Sequence, residues 1–248
     1  MTGVSELSGK HALVTGGARG IGEAIARALA QHGARVSVVS RNPSAVAARF
    51  TTAQADVSDE TQVRAAFAQC RGVNGPIAIL VNNSGIADSA PLQRTSLELF
   101  EKIVSTNLTG TFLCSREALG DMLAAKWGRI LNVASIAGLY GAPYIAAYCA
   151  SKHGVVGLTR AIAGEFGAMG ITANAIAPGY TETDMMHQAI DKIVKHTGAS
   201  EEMARANLAQ MNPEGRIATV DEVAQAALDL ICGDKNGVTV VVPGGVEA

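Results

Sequence analysis

The chain lacks most of the features that would tie it to a metal, a membrane or a polyanion. Its four cysteines, Cys70, Cys114, Cys149 and Cys232, are far apart, with no CxxC pair and no histidine at metal-ligand spacing. They read as reduced packing residues, Cys149 included although it adjoins Tyr148, and zinc-dependent alcohol chemistry is disfavoured. A net charge of -2 over 248 residues offers no basic field to draw a nucleic acid. No segment carries the roughly 18 uninterrupted apolar residues of a membrane span. The stretch Met1 to Lys10 is polar, without the apolar core of a signal peptide. The expected partner is a small molecule in the cytoplasm, with no metal, nucleic acid or membrane. No Pro/Ser linker or charge block divides the chain, so residues 1–248 are expected to form one domain.

What is present is a large core: 48% of residues are hydrophobic and 17% charged. Short β-branched runs alternate with longer Ala-rich helical stretches, the rhythm of βαβ units. Seven strands are expected, at His11–Thr15, Arg35–Ser40, Thr51–Asp56, Ile77–Asn82, Arg129–Ser135, Ile171–Ala177 and Val238–Val242. Most are continuous apolar runs, as parallel strands covered on both faces require. The fold class is therefore α/β, a Rossmann-type doubly wound parallel sheet of seven strands with helices on both faces. Ligands of such sheets bind at the carboxyl ends of the strands, which directs attention to the residues there.

After the first strand, Thr15-Gly16-Gly17-Ala18-Arg19-Gly20-Ile21-Gly22 leads into a helix running to His32. Glycines there let backbone N–H groups approach a pyrophosphate at a helix N-terminus, although a glycine-rich turn also arises from turn chemistry alone. After the second strand, Ser40-Arg41-Asn42 contains no acid for the ribose hydroxyls of NAD. Ser40 leaves room for a 2′-phosphate that Arg41, and Arg19 from the glycine turn, can neutralise, so NADP(H) is favoured over NAD(H). Both arginines also read as ordinary solvated surface residues. Asp56, at the end of the third strand, suits either an adenine amino group or the cap of a helix beginning near Ser58 or Asp59.

Tyr148-Cys149-Ala150-Ser151-Lys152 lies inside an Ala/Gly-rich apolar segment from Ile145 to Met169. The four-residue spacing puts phenol and ammonium on one helix face. A tyrosine, with an ordinary pKa near ~10, needs a cation to favour phenolate before it exchanges protons near neutrality, and Lys152 can supply it. The pair alone is a weak signal. Ser135, at the end of the fifth strand, offers a hydroxyl to a reacting oxygen. Asn107 is a polar break in a helical stretch, where a side chain or carbonyl can hold water.

With these residues in place, essentially the entire chain resembles the short-chain dehydrogenase/reductase family, and its ketoreductases in particular. Thr15 to Gly22 matches the family's TGxxxGxG turn, Asn82-Asn83-Ser84-Gly85 its NNAG segment, and Pro178-Gly179-Tyr180-Thr181-Glu182-Thr183 its PG motif. The resemblance implies a catalytic tetrad of Asn107, Ser135, Tyr148 and Lys152. It implies a cofactor site made of Gly16, Arg19, Gly20, Ile21, Gly22, Ser40, Arg41, Asp56, Val57, Asn83, Ser84, Gly85, Tyr148, Lys152, Pro178, Gly179, Thr181 and Thr183. Within it Lys152 would hold the ribose hydroxyls, Asn107 would anchor a water, and Thr183 would bind the nicotinamide carboxamide. Three features depart from the family pattern: Ser84 for alanine, a short segment after the second strand, and Pro243 where an Asp commonly stands.

Hydride transfer between NADP(H) and a ketone or secondary alcohol is the implied reaction, with Tyr148 as acid and base. Leu139, Tyr140, Pro143 and Tyr144 are expected to line an apolar pocket, suiting a 3-oxoacyl thioester or a similar ketone of modest polarity. A sugar, polyol or steroid-like alcohol stays open. Residues 182–211, with Met185, Met186, Ile190, Ile193, Val194 and Met203, read equally as a substrate lid and as core packing. His187 and His196 fall on its polar side, and Trp127 reads as packing. The resemblance also implies a homotetramer, joined through helices around Ser96–Ala125 and Ala146–Met169. Two readings of other classes remain: a non-catalytic NADP-binding regulatory protein, which the intact tetrad disfavours, and a nucleotide-sugar epimerase or dehydratase, which would need a larger substrate extension.

Overall fold

Each of the seven β-rich runs becomes a strand of one parallel sheet in a computed structural model that describes residues 7–244. Residues 1–6 of the polar N-terminal stretch, and Gly245, lie outside the described residues. The strands are β1 (His11–Thr15), β2 (Arg35–Ser40), β3 (Thr51–Gln54), β4 (Ile77–Asn82), β5 (Gly128–Val133), β6 (Ile171–Pro178) and β7 (Thr239–Val242). Their order is β3-β2-β1-β4-β5-β6-β7. The described α-helices are α1 (Gly20–Gln31), α2 (Glu60–Asn74), α3 (Leu97–Val104), α4 (Gly110–Ala125), α5 (Ala146–Phe166), α6 (Asp184–Thr197), α7 (Glu201–Gln210) and α8 (Val220–Cys232).

Two strands end earlier than the sequence suggests. β3 stops at Gln54, because the Asp56 carboxylate turns the chain by accepting hydrogen bonds from the Ser58 amide (3.0 Å) and hydroxyl (2.6 Å). Asp59, not Asp56, caps α2, accepting from the Gln62 amide. β5 stops at Val133, and Ser135 caps a short 3-10 turn, Ile136–Gly138.

The period-2 alternation of the strands sends side chains to opposite faces. Ala12, Val14, Val38, Ile79, Val81, Leu131 and Val133 pack against α1 and α8. Leu13, Val39, Leu80, Ile130 and Ala173 pack against α2, α4 and α5, with Phe67 at the centre of that layer. Arg71 fastens α2 to α4 through Glu117 and Asp121, both at 2.7 Å. No disulfide joins the four cysteines, and burial pushes the Cys114 thiol up to about 12. Trp127 lies between the Lys10 ammonium and the Arg129 guanidinium, at 4.0 and 4.5 Å from its ring centre. No described helix is long and apolar enough to cross a membrane.

Because β1 pairs with β2 on one side and β4 on the other, the chain leaves β1 and β4 in opposite directions. That switch point opens the crevice in which doubly wound folds bind ligands. The opposite end of β1 is closed by buried His11, whose ring nitrogens bond the Gly75 carbonyl (2.7 Å) and the Ser37 hydroxyl (2.8 Å). Burial lowers its pKa from 6.5. As pH falls below 6.5 the unfolded chain takes up a proton that the folded chain refuses, so stability contributed above 6.5 is lost toward the depressed pKa. Thermal unfolding followed across this window should show a steeper loss for the native chain than for His11→Gln; equal slopes would refute the assignment.

Candidate active site

The glycine turn and the end of β4 are built as one unit. Thr15 Oγ1 accepts from the Asn83 and Ser84 amides, both at 3.1 Å, while Asn83 Nδ2 donates to the Thr15 and Gly16 carbonyls, also at 3.1 Å. A methyl group at Gly16 would lie 2.8 Å from Asn83 Nδ2, and one at Gly22 would overlap the same atom. Glycine is therefore required by close approach at both positions. Gly20 faces the PG segment: a methyl there would touch Thr183 Cγ2 at 3.5 Å.

The first turn of α1 is left without a side-chain cap, its N-cap residue Arg19 being extended. Asp59, Ser96, Thr183, Ser200 and Thr219 cap α2, α3, α6, α7 and α8. Uncapped amides at a helix N-terminus suit a phosphate. At the end of β2 the Ser40 hydroxyl is buried without a hydrogen-bond partner. Arg41 is exposed and helps hold Asp56 below the usual carboxylate range, a shift due first to the Ser58 hydroxyl. Val57 is buried beneath Gly110. The residues present thus fit a dinucleotide: an uncapped turn for its phosphates, and a polar orphan followed by an exposed arginine. Arg19 is engaged elsewhere, by Asp184 at the start of α6 (3.2 Å), in an exposed pair that costs little to break.

Asn107 sits in a π-helical turn, Ser105–Thr109, between α3 and α4. Such a turn carries one residue more than the α-helical ladder and is often found at functional sites. The break read from the sequence is this irregularity, and the side chain is anchored to protein through both its oxygen and its nitrogen. Its Oδ1 accepts from the Ile86 amide (2.8 Å), and its Nδ2 donates to the Ile86 carbonyl (2.9 Å) and Ser151 Oγ (3.0 Å). Oδ1, engaged by one donor, keeps a second lone pair, and the Asn107 backbone carbonyl accepts from Thr111 Oγ1 at 2.7 Å.

Tyr148 and Lys152 share a face of α5, with the ammonium 5.7 Å from the phenol ring centre. Lys152 is buried and donates to the Val133 carbonyl (2.7 Å) at the end of β5. Burial lowers its pKa to about 8 and raises that of Tyr148 to about 12, against a hydrogen bond from Ser135 that lowers it. The expected depression of the phenol by Lys152 is not found. Desolvation dominates both groups, and the ammonium is drawn to the Val133 carbonyl. Ser135, Tyr148, Lys152, Asn107 and Gly85 nonetheless converge: a methyl at Gly85 would lie 3.3 Å from Asn107 Oδ1 and 3.6 Å from Lys152 Nζ.

Thr181 is buried and donates to the Gly179 carbonyl, and Thr183 donates to Thr181, each at 3.1 Å. Segment 182–211 forms α6 and α7. Met186, Ile190, Ala204 and Leu208 make a small core of their own, with Ile193 and Val194 against it, whereas Met185 and Met203 stay exposed. His187 is paired with Glu182 and His196 with the Lys192 carbonyl, both exposed. Lys192 also reaches Asp88 in the loop after β4 (2.6 Å), so α6 spans toward that loop. Tyr140 and Tyr144 are exposed rather than enclosed. The sequence reading missed Ser151, whose hydroxyl joins Asn107 to the Tyr148 carbonyl (2.8 Å). A serine three residues after the tyrosine on a helix is the signal that could have found it.

A parallel sheet with an uncapped glycine turn at its switch point and a Ser-Tyr-Lys cluster beside it defines a dinucleotide-binding oxidoreductase architecture. The family model for short chain dehydrogenases matches residues 10–194. The 3-oxoacyl-[acyl-carrier-protein] reductase MabA of Mycobacterium tuberculosis (strain ATCC 25618 / H37Rv) is 38% identical over 240 residues, covering 96% of this chain and 92% of the relative. The granaticin polyketide synthase putative ketoacyl reductase 1 of Streptomyces violaceoruber is 38% identical, covering 92% and 88%. A crystal structure of a substituted actinorhodin polyketide ketoreductase with NADPH superposes with a TM-score of 0.90 at 34% identity over 97% of both chains. The chain belongs to the short-chain dehydrogenase family, nicotinamide-dependent oxidoreductases that act on CH–OH and C=O groups.

No carboxylate is hydrogen-bonded or ion-paired with Lys152 among the described residues, so the fold carries the cost of a buried ammonium. Displacement from 10.5 to about 8 corresponds to roughly 3 kcal/mol. Lys152→Met should therefore raise the melting temperature at neutral pH by several degrees while removing activity. A lower melting temperature would show that the ammonium stabilises the fold.

Proposed function

We propose that the chain is an NADP(H)-dependent ketone reductase acting on a 3-oxoacyl thioester or a similar ketone of modest polarity. The observation that carries this reading is the convergence of Ser135 and half-buried Tyr148 with buried Lys152, set beside the uncapped glycine turn. The names of the mycobacterial and Streptomyces relatives, and the NADPH of the structural neighbour, support the same chemistry.

Gly16, Gly20, Ile21 and Gly22 would take the pyrophosphate, with Asn83, Ser84 and Gly85 forming the floor. Ser40 and Arg41, helped by Arg19 once released from Asp184, would take the 2′-phosphate. Asp56 and Val57 would lie along the adenine, and Pro178, Gly179, Thr181 and Thr183 along the nicotinamide end. The nicotinamide, when bound, supplies the hydride. Tyr148, protonated up to about 12, donates its proton to the carbonyl oxygen as negative charge develops there, and Ser135 gives that oxygen a second hydrogen bond. Below about 8 Lys152 keeps its charge and would hold the ribose hydroxyls. Asn107 and Ser151 keep α5 in register with the loop after β4. Helices α6 and α7 would cover the substrate, presenting Met185 and Met203, with Leu139, Tyr140, Pro143 and Tyr144 opposite.

Initial rates with NADPH and NADH over a panel of 3-oxoacyl thioesters, aryl ketones and keto sugars test this reading. NADPH should be preferred, and Arg41→Ala should raise its KM about tenfold without affecting NADH, the loss expected for one charge-assisted contact. Tyr148→Phe should lower kcat by about 10²-fold or more. Reductive turnover should fall as pH rises through about 8, where Lys152 loses its proton. A preference for NADH would overturn the cofactor assignment, and turnover independent of Tyr148 the mechanism.

The reading extends to a cytoplasmic homotetramer. Cysteines without disulfides suit a reducing compartment, and Leu97, Phe100 and Phe112 on α3 and α4 leave apolar surface for a second copy. Light scattering should give four times the 25.4 kDa chain mass; a monomer would overturn it.

A further inference from the structure

β6 ends at Pro178, and the Gly179 amide makes the last bond to the sheet, to the Val242 carbonyl (2.8 Å). The next residue, Tyr180, has left the ladder while half-buried, so its N–H and C=O need new partners. Asn212, thirty-two residues later, provides both. Its Oδ1 accepts from the Tyr180 amide (2.7 Å), and its Nδ2 donates to the Tyr180 carbonyl (2.8 Å) and the Arg216 carbonyl (2.6 Å). The side chain is 3% exposed, and every hydrogen-bonding direction it uses ends on backbone. A methyl at Gly179 would overlap Asn212 Oδ1, so the glycine of the PG motif admits this amide. Two further backbone bonds, Ala218 to Tyr180 (3.0 Å) and Glu182 to Ala218 (2.9 Å), complete the strap between the two segments.

The segment held in this way carries Thr181 and Thr183. Thr183 caps α6, faces Gly20 of the glycine turn, and donates its hydroxyl hydrogen bond to the Thr181 carbonyl. Tyr180 itself lies near enough to Tyr148 to act on it electrostatically. Asn212 touches none of the proposed reacting groups, yet it fixes the backbone on which the nicotinamide end of the site is built and from which α6 departs. We infer that Asn212 is a positioning residue: its amide stands in for a missing strand and sets residues 179–183 for binding the dinucleotide. This rests on the reading of 178–183 as the nicotinamide end of the site.

The test compares Asn212→Ala, Asn212→Asp, Gly179→Ala and the Gly179→Ala/Asn212→Ala double variant. Hydrogen exchange of the intact protein, without dinucleotide, reads the positioning directly. Asn212→Ala should speed exchange at residues 180–186 by about tenfold or more, as loss of about 1–2 kcal/mol of local hydrogen bonding implies, with the strands unchanged. Asn212→Asp, which keeps the acceptor for the Tyr180 amide but loses both donors, should be intermediate, and serves if the alanine variant fails to fold. Unchanged exchange in this segment overturns the inference whatever the chain binds. Steady-state rates then read the consequence: KM for NADPH should rise about tenfold while kcat changes far less. Gly179→Ala should do the same by displacing the amide, and the double variant should be no worse than Gly179→Ala alone because the methyl enters the space Asn212 leaves. Additive effects, or a lower melting temperature with KM untouched, would reduce Asn212 to a fold-stabilising residue and refute the inference. No NADPH turnover by the native chain, with the exchange result as expected, would instead fail the functional reading and leave the strap standing.

Discussion

A chain that leaves a buried parallel sheet must find partners for N–H and C=O groups that water cannot reach. In this protein that constraint is met three times, at the carboxyl ends of β1, β4 and β6, by an asparagine side chain. Asn83 donates to the Thr15 and Gly16 carbonyls. Asn107 bonds both the amide and the carbonyl of Ile86, and Asn212 does the same for Tyr180. A carboxamide carries a donor and an acceptor side by side, which lets it imitate a neighbouring strand. The glycine turn, the loop after β4 and the PG segment each hang from one of these contacts.

Rigidity at these points lets the site keep a buried ammonium close to a desolvated phenol. Tyr148 and Lys152 are both desolvated, the phenol raised and the ammonium lowered. Neither shift helps the fold. Both leave the tyrosine a proton donor and the lysine a cation near its titration point, the condition for moving a proton to a substrate oxygen and stabilising the charge that remains. The apolar layers on the two faces of the sheet are extensive.

The exposed ion pairs have a different character. Arg19–Asp184 and Lys192–Asp88 tie α6 to the glycine turn and to the loop after β4, but all four side chains are largely solvated. They are weak and exchangeable, in contrast to the buried amides. The α6–α7 unit is thus anchored firmly at its base, through Asn212 and the Thr181–Ala218 bridge, and loosely along its length.

By itself the sequence determined the architecture, because strand and helix periods are local: all seven β-branched runs became strands, with boundaries displaced most where Asp56 and Ser135 turn the chain and by a single residue at Gly128, Pro178 and Thr239. It also determined the Tyr148–Lys152 spacing, which any α-helix converts into a shared face. Tertiary structure alone decided what those groups experience. Lys152 is spent on the Val133 carbonyl, Asn107 on Ile86 and Ser151, Arg19 on Asp184, and Asp56 on Ser58 rather than on a helix cap. Most of these contacts join residues distant in the chain, and Asn212 had no local pattern to mark it. Hydrogen-bond closure and burial depend on which segments the fold brings together, and neither period nor spacing encodes that.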